Sequence, residues 1–415
     1  MVDIHNYDKQ YENWERYVRE SSISERNKEL IFEYRNACLL RGVCGKVRLI
    51  RAFQILLRTA VLLDKDFDTV ARKDLEELIT TLQRSKRKPA TIATYGAIIK
   101  RFFAFVLRPD DFHTVRDLPP EIAWIPGRVK KKDEPRLLRS QLLTADDVQD
   151  LLRVARHPRD KAFISILWET GCRISEIGNL QLKHISHHEH GLILDVTGKG
   201  GTRRSPLIVS SSPHLAAWLA VHPFREDLES PLWVHHEHRD APRAIRYDTI
   251  RTMIKQHCLR ARITKRVWQH LFRHSRNTHV LAAGIMTEAQ AKQYFGWTPS
   301  STMLSRYSHL TDFDAHSALL RENNLVPATK NEPPLQSQTC ARCRSLNSAD
   351  ASHCTRCALP MNPAVAYNAP DTARLALELV KVLADKGLLD TAADQINRAN
   401  LGPTLAKLAN SAHAP

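Results

Sequence analysis

Residues 269–281 read QHLFRHSRNTHVL, with His270 and Arg273 three apart among apolar residues of the kind that line a buried element. At helical spacing, positions i and i+3 share a face. An imidazole, whose ordinary pKa lies near working pH, is thereby set beside a guanidinium that stays protonated and can bond two oxygens of an anion at once. The pair suits proton transfer at an anionic group such as phosphate. Taken alone, a His beside an Arg on an amphipathic helix is more often a surface or satisfied core pair, so the weight falls on the rest of the chain. A second pattern, CARCRSLNSADASHCTRC, places Cys340 and Cys343 two residues apart, then ten, then Cys354 and Cys357 two apart. Two such knuckles can present four thiolates tetrahedrally, and a closed four-thiolate shell is a structural Zn site with no open position for catalysis.

The elements that must position these residues are bounded by size and charge. A chain of 415 residues exceeds the size at which one core usually keeps growing, so two or three domains are expected. Lys and Arg number 61 against 45 Asp and Glu, a formal charge of +16, which makes nucleic acid the leading candidate partner. A membrane surface would attract the same charge. However, the longest uninterrupted apolar run, FFAFVL, has six residues, against roughly 18 for a transmembrane span. The opening MVDIHNYDKQYENWERYVRE is polar throughout and unlike a signal peptide. The expectation is an intracellular protein of the cytoplasm and nucleoid, with no membrane, whose eight cysteines are thiols or metal ligands rather than disulfides.

The fold class expected is mainly α with a small β-sheet. Residues 1–23 form an N-terminal extension. Residues 24–108 contain four helical segments, SERNKELIFEYRNACLLRG, KVRLIRAFQILLRTAVLL, ARKDLEELITTLQRS and PATIATYGAIIKRFFAFVL, each with apolar residues at three- and four-residue spacing. Ser24 and Pro89 are helix starts and Gly42 a stop. On the second segment Ile50, Phe53, Leu57 and Val61 cluster on one side, while Arg48, Arg51 and Arg58 fall opposite, as a phosphate-facing or merely solvated face. Residues 109–140 are a proline-rich linker whose cluster RVKKKDEPRLLR, with Lys130, Lys131 and Lys132, could follow a DNA backbone. A second unit over 141–325 opens at Thr144, an N-cap with Asp147 three residues on. It continues through the apolar helix DKAFISILWETG and the strand-like GLILDVTGKGGTRRSPLIV, whose Gly198–Gly201 region reads as a hairpin tip. A linker at 326–339, the cysteine segment at 340–362 and a helical tail at 363–415 follow.

Five features occur in order in the second unit: TGCRISEI with Arg173, GKGGTRR with Lys199, HLFRHS with His270 and Arg273, FGWT with Trp297, and SRYSHL with Tyr307. Together they resemble the catalytic signature of the tyrosine recombinases, the phage integrase family, with an archaeal-like character. The resemblance extends over residues 24–322. It implies a helical core-binding domain and an α/β catalytic domain closing as a clamp on duplex DNA. It also implies a homotetramer on two paired sites and strand exchange through a 3′-phosphotyrosyl intermediate. Tyr307 would be the nucleophile. Arg173 and Arg273 would stabilise the charge on the phosphorane oxygens, and Lys199 would protonate the departing 5′ oxygen. His270 would handle the tyrosine proton, with His274 and His309 nearby. Trp297 stands where many members have histidine; it can donate a hydrogen bond but cannot shuttle a proton. Glu176, one turn after Arg173, would orient its neighbours.

The ester conserves the energy of the broken bond, so neither ATP nor a divalent metal is required. The chain has no P-loop pattern. The cysteine segment resembles short zinc ribbons, with Arg344 and Ala358 where glycines often follow each knuckle. Cys38, Cys44, Cys172 and Cys258 read as ordinary thiols, and HISHHEHG and VHHEHR as solvated loops. A type IB topoisomerase and a catalytically inactive DNA-binding regulator with the same fold are the alternatives.

Overall fold

The computed structural model describes residues 2–112, 118–129, 137–198, 201–235, 240–298, 301 and 336–361. Lys130, Lys131, Lys132, Lys199, Tyr307 and the tail after residue 361 lie outside the described residues.

Helices α1 (Tyr7–Glu20), α2 (Glu25–Leu40), α3 (Lys46–Leu63), α4 (Arg72–Arg84) and α5 (Pro89–Leu107) share one apolar core, followed by the single turn α6 (Pro120–Ala123). Local signals set their ends. The Ser24 hydroxyl accepts from the Asn27 amide at 3.2 Å, Pro89 opens α5, and Gly42 just past α2 takes a left-handed φ of 62°. Helix α1 falls within the expected N-terminal extension. It buries only Tyr11 and Val18, too sparse a pattern to read by periodicity. The single stripe expected on α3 is also corrected. This helix packs against α1, α2, α4 and α5, so it buries Leu49, Ala52, Ile55, Leu56 and Ala60 as well as Ile50 and Phe53, while Val61 is 66% exposed. Arg48, Arg51 and Arg58 remain exposed. By length and composition α5 could cross a bilayer, although no uninterrupted run suggested it. Its aromatic residues Phe102, Phe103 and Phe105 are instead buried in the helical core. Gly96 on α5 lies against the segment after α6, where an added methyl group would overlap the Pro126 carbonyl oxygen.

The second domain contains α7 (Ala145–Val154), α8 (Pro158–Thr170), α9 (Ile174–Gly178), β1 (Ile185–His188), β2 (Gly191–Leu194), β3 (Val196–Thr197), β4 (Arg203–Arg204), β5 (Leu207–Ile208), α10 (Ser212–Ala220), α11 (Tyr247–Arg260), α12 (Gln269–Ala282) and α13 (Glu288–Phe295); Ala291 and Phe295 of α13 form a small cluster of their own with Val280 and Trp297. Thr144 and Asp147 cap α7 reciprocally. Helix α8 is buried on nearly all sides, from Ala162 to Trp168, and packs against α7, α10 and α12. It is the axis of this domain. The strand-like run divides into two antiparallel ladders: β1-β2-β5, with Ile185 opposite Leu194 and Leu192 opposite Ile208, and the hairpin β3-β4, with Val196 opposite Arg204. HISHHEHG is therefore not all loop, since Ile185–His188 is β1, although His187 and His188 are exposed.

Strands β6 (Gln338–Thr339) and β7 (Leu346–Asn347) pair antiparallel within the cysteine segment. That segment lies on the catalytic unit through Asp350, 3.1 Å from the Lys161 ammonium, and through the Ser337 hydroxyl, which donates to the Val209 carbonyl at 3.2 Å.

Gly96→Ala is expected to lower stability by about 1–3 kcal/mol, because backbone rather than a flexible side chain must move to admit the methyl group. Urea unfolding of the full chain measures it.

Candidate active site

The site is built where α8 ends. Gly171 takes a left-handed φ of 55° and stops the helix, so the chain turns sharply through Cys172 into Arg173, the N-cap of α9. Glu176, in the first turn of α9, has a side chain only 1% exposed. Its carboxylate accepts from the Arg173 backbone amide at 2.8 Å and from the Arg173 guanidinium at 2.7 Å. It also accepts from the guanidinium of Arg204 at 2.6 Å. A buried carboxylate is costly unless paired and fully hydrogen-bonded; here two arginines and a main-chain amide satisfy it. The Arg173 side chain stays 35% exposed and presents its remaining donors to solvent. The β3-β4 hairpin begins at the same place. A Cβ on Gly198 would lie 3.1 Å from the Glu176 carboxylate and 4.0 Å from the Arg173 guanidinium, and the next residue is Lys199.

Helix α12 approaches from the other side. Arg273 is 1% exposed, and its two terminal nitrogens donate to the Gly171 carbonyl at 2.9 Å and the Phe295 carbonyl at 2.7 Å. Its guanidinium lies 5.8 Å from the centre of the Phe295 ring and 5.7 Å from that of buried Trp297. His270, one turn earlier, is open to solvent and meets His274 edge to face at 4.8 Å. Partial loss of hydration, then the positive charges of Arg273 and Arg173, hold the His270 pKa below the ordinary imidazole value, with Glu176 pulling back weakly.

The structure places Arg173, Glu176, His270, Arg273 and Trp297 in one region. Of these, Arg273 lies beneath the surface. The exposed Arg48, Arg51 and Arg58 belong to α3 in the other domain. Arg204 was overlooked. Its guanidinium also donates to the Tyr294 carbonyl and to the Cys172 sulfur, the latter at 3.3 Å, so Arg204 and Arg273 bind consecutive carbonyls at the C-terminal end of α13, where cations are favoured. Gly296, at a φ of 63°, has no room for a Cβ against the Arg204 side chain. The available signal was strand alternation: Arg204 pairs with buried Val196 and so faces inward.

Cys340, Cys343, Cys354 and Cys357 place their sulfurs within 4.8 Å of one another, the one grouping among the described residues that could hold a metal. Cys340 and Cys357 are 3.5 Å apart, as are Cys343 and Cys354. These separations suit four thiolates around one Zn ion. Arg344 and Ala358 hold left-handed φ of 56° and 58°, the backbone conformation for which glycine is commonly used. Their amides donate to the carbonyls of Cys340 and Cys354, each at 2.9 Å, closing the knuckles. The His353 ring is directed to Ser352 at 3.2 Å instead. Cys38, Cys44, Cys172 and Cys258 are free thiols.

A helical domain followed by a mixed α/β domain of this form is the tyrosine recombinase fold, shared with the integrase of transposon Tn1549 solved with a circular intermediate DNA. That likeness has a TM-score of 0.50 at 17% identity over 71% of this chain and 99% of the other. Residues 141–313 match the phage integrase family. A tyrosine recombinase of Thermosipho africanus is 29% identical over 60% of this chain and 85% of its own length. Tyrosine recombinase XerD of Bifidobacterium longum is 28% identical over 59% and 79%. Over residues 141–313 the chain is thus similar to the phage integrase family, and over about 60% of its length to tyrosine recombinases.

Arg204→Met should destabilise the protein by about 3 kcal/mol, since it removes one partner of a buried carboxylate. Arg204→Lys should recover part of the loss in urea unfolding. For the cysteine group, elemental analysis of purified protein is expected to find about one zinc per chain, lost in a Cys343→Ser, Cys354→Ser variant.

Proposed function

We propose that the chain is a site-specific DNA recombinase that cuts and rejoins duplex DNA through a 3′-phosphotyrosyl intermediate. The observation that carries this reading is the buried Glu176 carboxylate holding Arg173 by main chain and side chain at once, with His270 close enough to the Arg273 and Arg173 guanidinium groups for their charge to lower its pKa. Such a cluster is suited to a phosphate, whose extra negative charge in the transition state needs fixed donors.

In the proposed reaction the Tyr307 oxygen attacks phosphorus and its proton passes to His270. The bond from phosphorus to the 5′ oxygen breaks, and Lys199 supplies the proton to the departing oxygen. Attack by the 5′ hydroxyl of another strand reverses each transfer and releases Tyr307. One phosphodiester is exchanged for another, so no ATP is consumed. Arg173 and Arg273 would hold the nonbridging oxygens, with Trp297 as a further donor and Glu176 and Arg204 fixing Arg173.

The exposed arginines of α3, Arg48, Arg51 and Arg58, with Lys130, Lys131 and Lys132, would meet backbone phosphates. That role is consistent with the +16 charge of the chain. We further propose a tetramer on two paired sites, a structural Zn ion in the cysteine segment, and a cytoplasmic, nucleoid-associated location.

On a nicked duplex suicide substrate containing the target site, wild type should become covalently linked to DNA and Tyr307→Phe should bind without linking. Linkage that survives this substitution removes Tyr307 from the nucleophile's place. Product analysis on a two-site plasmid separates recombination from relaxation of one duplex.

A further inference from the structure

The N-terminal residues tie the two domains together behind the site. Ile4 is 2% exposed and belongs to the catalytic core, not the helical one. Its side chain lies against Gly178, the last residue of α9, where an added Cβ would come within 2.5 Å of it. Its amide donates to the Asn179 side chain at 3.0 Å, and its carbonyl accepts from the Tyr247 amide at 3.0 Å. The His5 ring packs on that of Tyr247 at 4.8 Å. The Tyr247 hydroxyl in turn donates to the Gln269 side chain at 3.3 Å, and Gln269 is the residue before His270. Ile4 therefore supports two elements at once: α9, whose N-cap is Arg173, and the start of α12, which carries His270.

Only three residues later, Tyr7 begins α1, whose Tyr11 and Val18 are buried in the other domain's core. Asp3 fixes this turn, its carboxylate accepting from the amides of His5 at 2.9 Å and Tyr7 at 2.8 Å. Three peptide units reach roughly 11 Å at full extension, so the domains cannot part widely at this edge while Ile4 keeps its socket.

We propose that Asp3–Asn6 is a strap coupling domain closure to the active site, with Ile4 as a positioning residue for Arg173 and His270. This rests on the recombinase reading above. With the domains closed, Ile4 is seated and both elements are held; with the domains apart it withdraws, leaving a void behind α9.

The test uses the full chain and the nicked suicide substrate at saturating DNA. Ile4→Ala should slow covalent linkage roughly ten-fold in single turnover, as expected when catalytic groups are slightly misplaced, and Ile4→Val should restore most of the rate. Asn179→Ala, which leaves the apolar contact intact, should slow it less. Hydrogen exchange should show the Tyr247 amide less protected in Ile4→Ala. A purely stabilising Ile4 would lower the melting temperature without changing the rate well below it, so an unchanged rate at saturating DNA overturns the positioning role. Unchanged protection of Tyr247 overturns the strap itself. If wild type forms no covalent complex, the recombinase reading fails, and exchange at Tyr247 alone decides whether the strap is seated as described.

Discussion

The arrangement depends on one buried charge. Glu176 is almost completely removed from water, and burying a carboxylate is costly unless cations and donors meet it in good geometry. Arg173 and Arg204 meet it from two directions, and the Arg173 amide from a third. Because Arg204 is on the β3-β4 hairpin and also holds the end of α13, the demands of one carboxylate bring α9, the hairpin and α13 into a fixed relation. Arg173 can then face solvent on one side while being anchored on the other, a preorganisation suited to an incoming anion.

Arg273 is restrained by different means. Two backbone carbonyls, one ending α8 and one ending α13, take its terminal nitrogens. A guanidinium suits this position because its charge is permanent and its donors diverge in a plane, whereas an ammonium would be more strongly hydrated and less directional. Two consecutive carbonyls of α13 are thus held by two arginines, which sets the turn into Trp297. Loss of hydration first, and then the same positive surroundings, lower the His270 pKa.

The cysteine segment follows a separate logic. Its knuckles are closed by amides of residues in left-handed conformation, and Arg344 and Ala358 adopt it without being glycine. Such conformations persist where the surroundings over-determine them, and four converging sulfurs supply that constraint. Asp350, the single acid between residues 336 and 361, lies against Lys161 of the catalytic unit, while Arg342, Arg344 and Arg356 remain exposed.

Local rules were legible in the sequence because they act over a few residues. Ser24, Pro89 and Thr144 mark helix starts, the hairpin opens at Gly198, four cysteines stand at knuckle spacing, and Arg173, His270 and Arg273 sit in motifs that resemble those of the tyrosine recombinases. Tertiary structure decided whatever depends on partners distant in the chain. Helix α3 buries more than one stripe because four helices surround it, so Val61 is exposed. Arg204 gains its importance from Glu176, 28 residues away. Ile4 gains its own from Asn179, 175 residues away. Periodicity reports how a segment meets its immediate surroundings, whereas a buried charge or an apolar plug is defined by whichever distant group satisfies it, and that pairing exists only once the chain has folded.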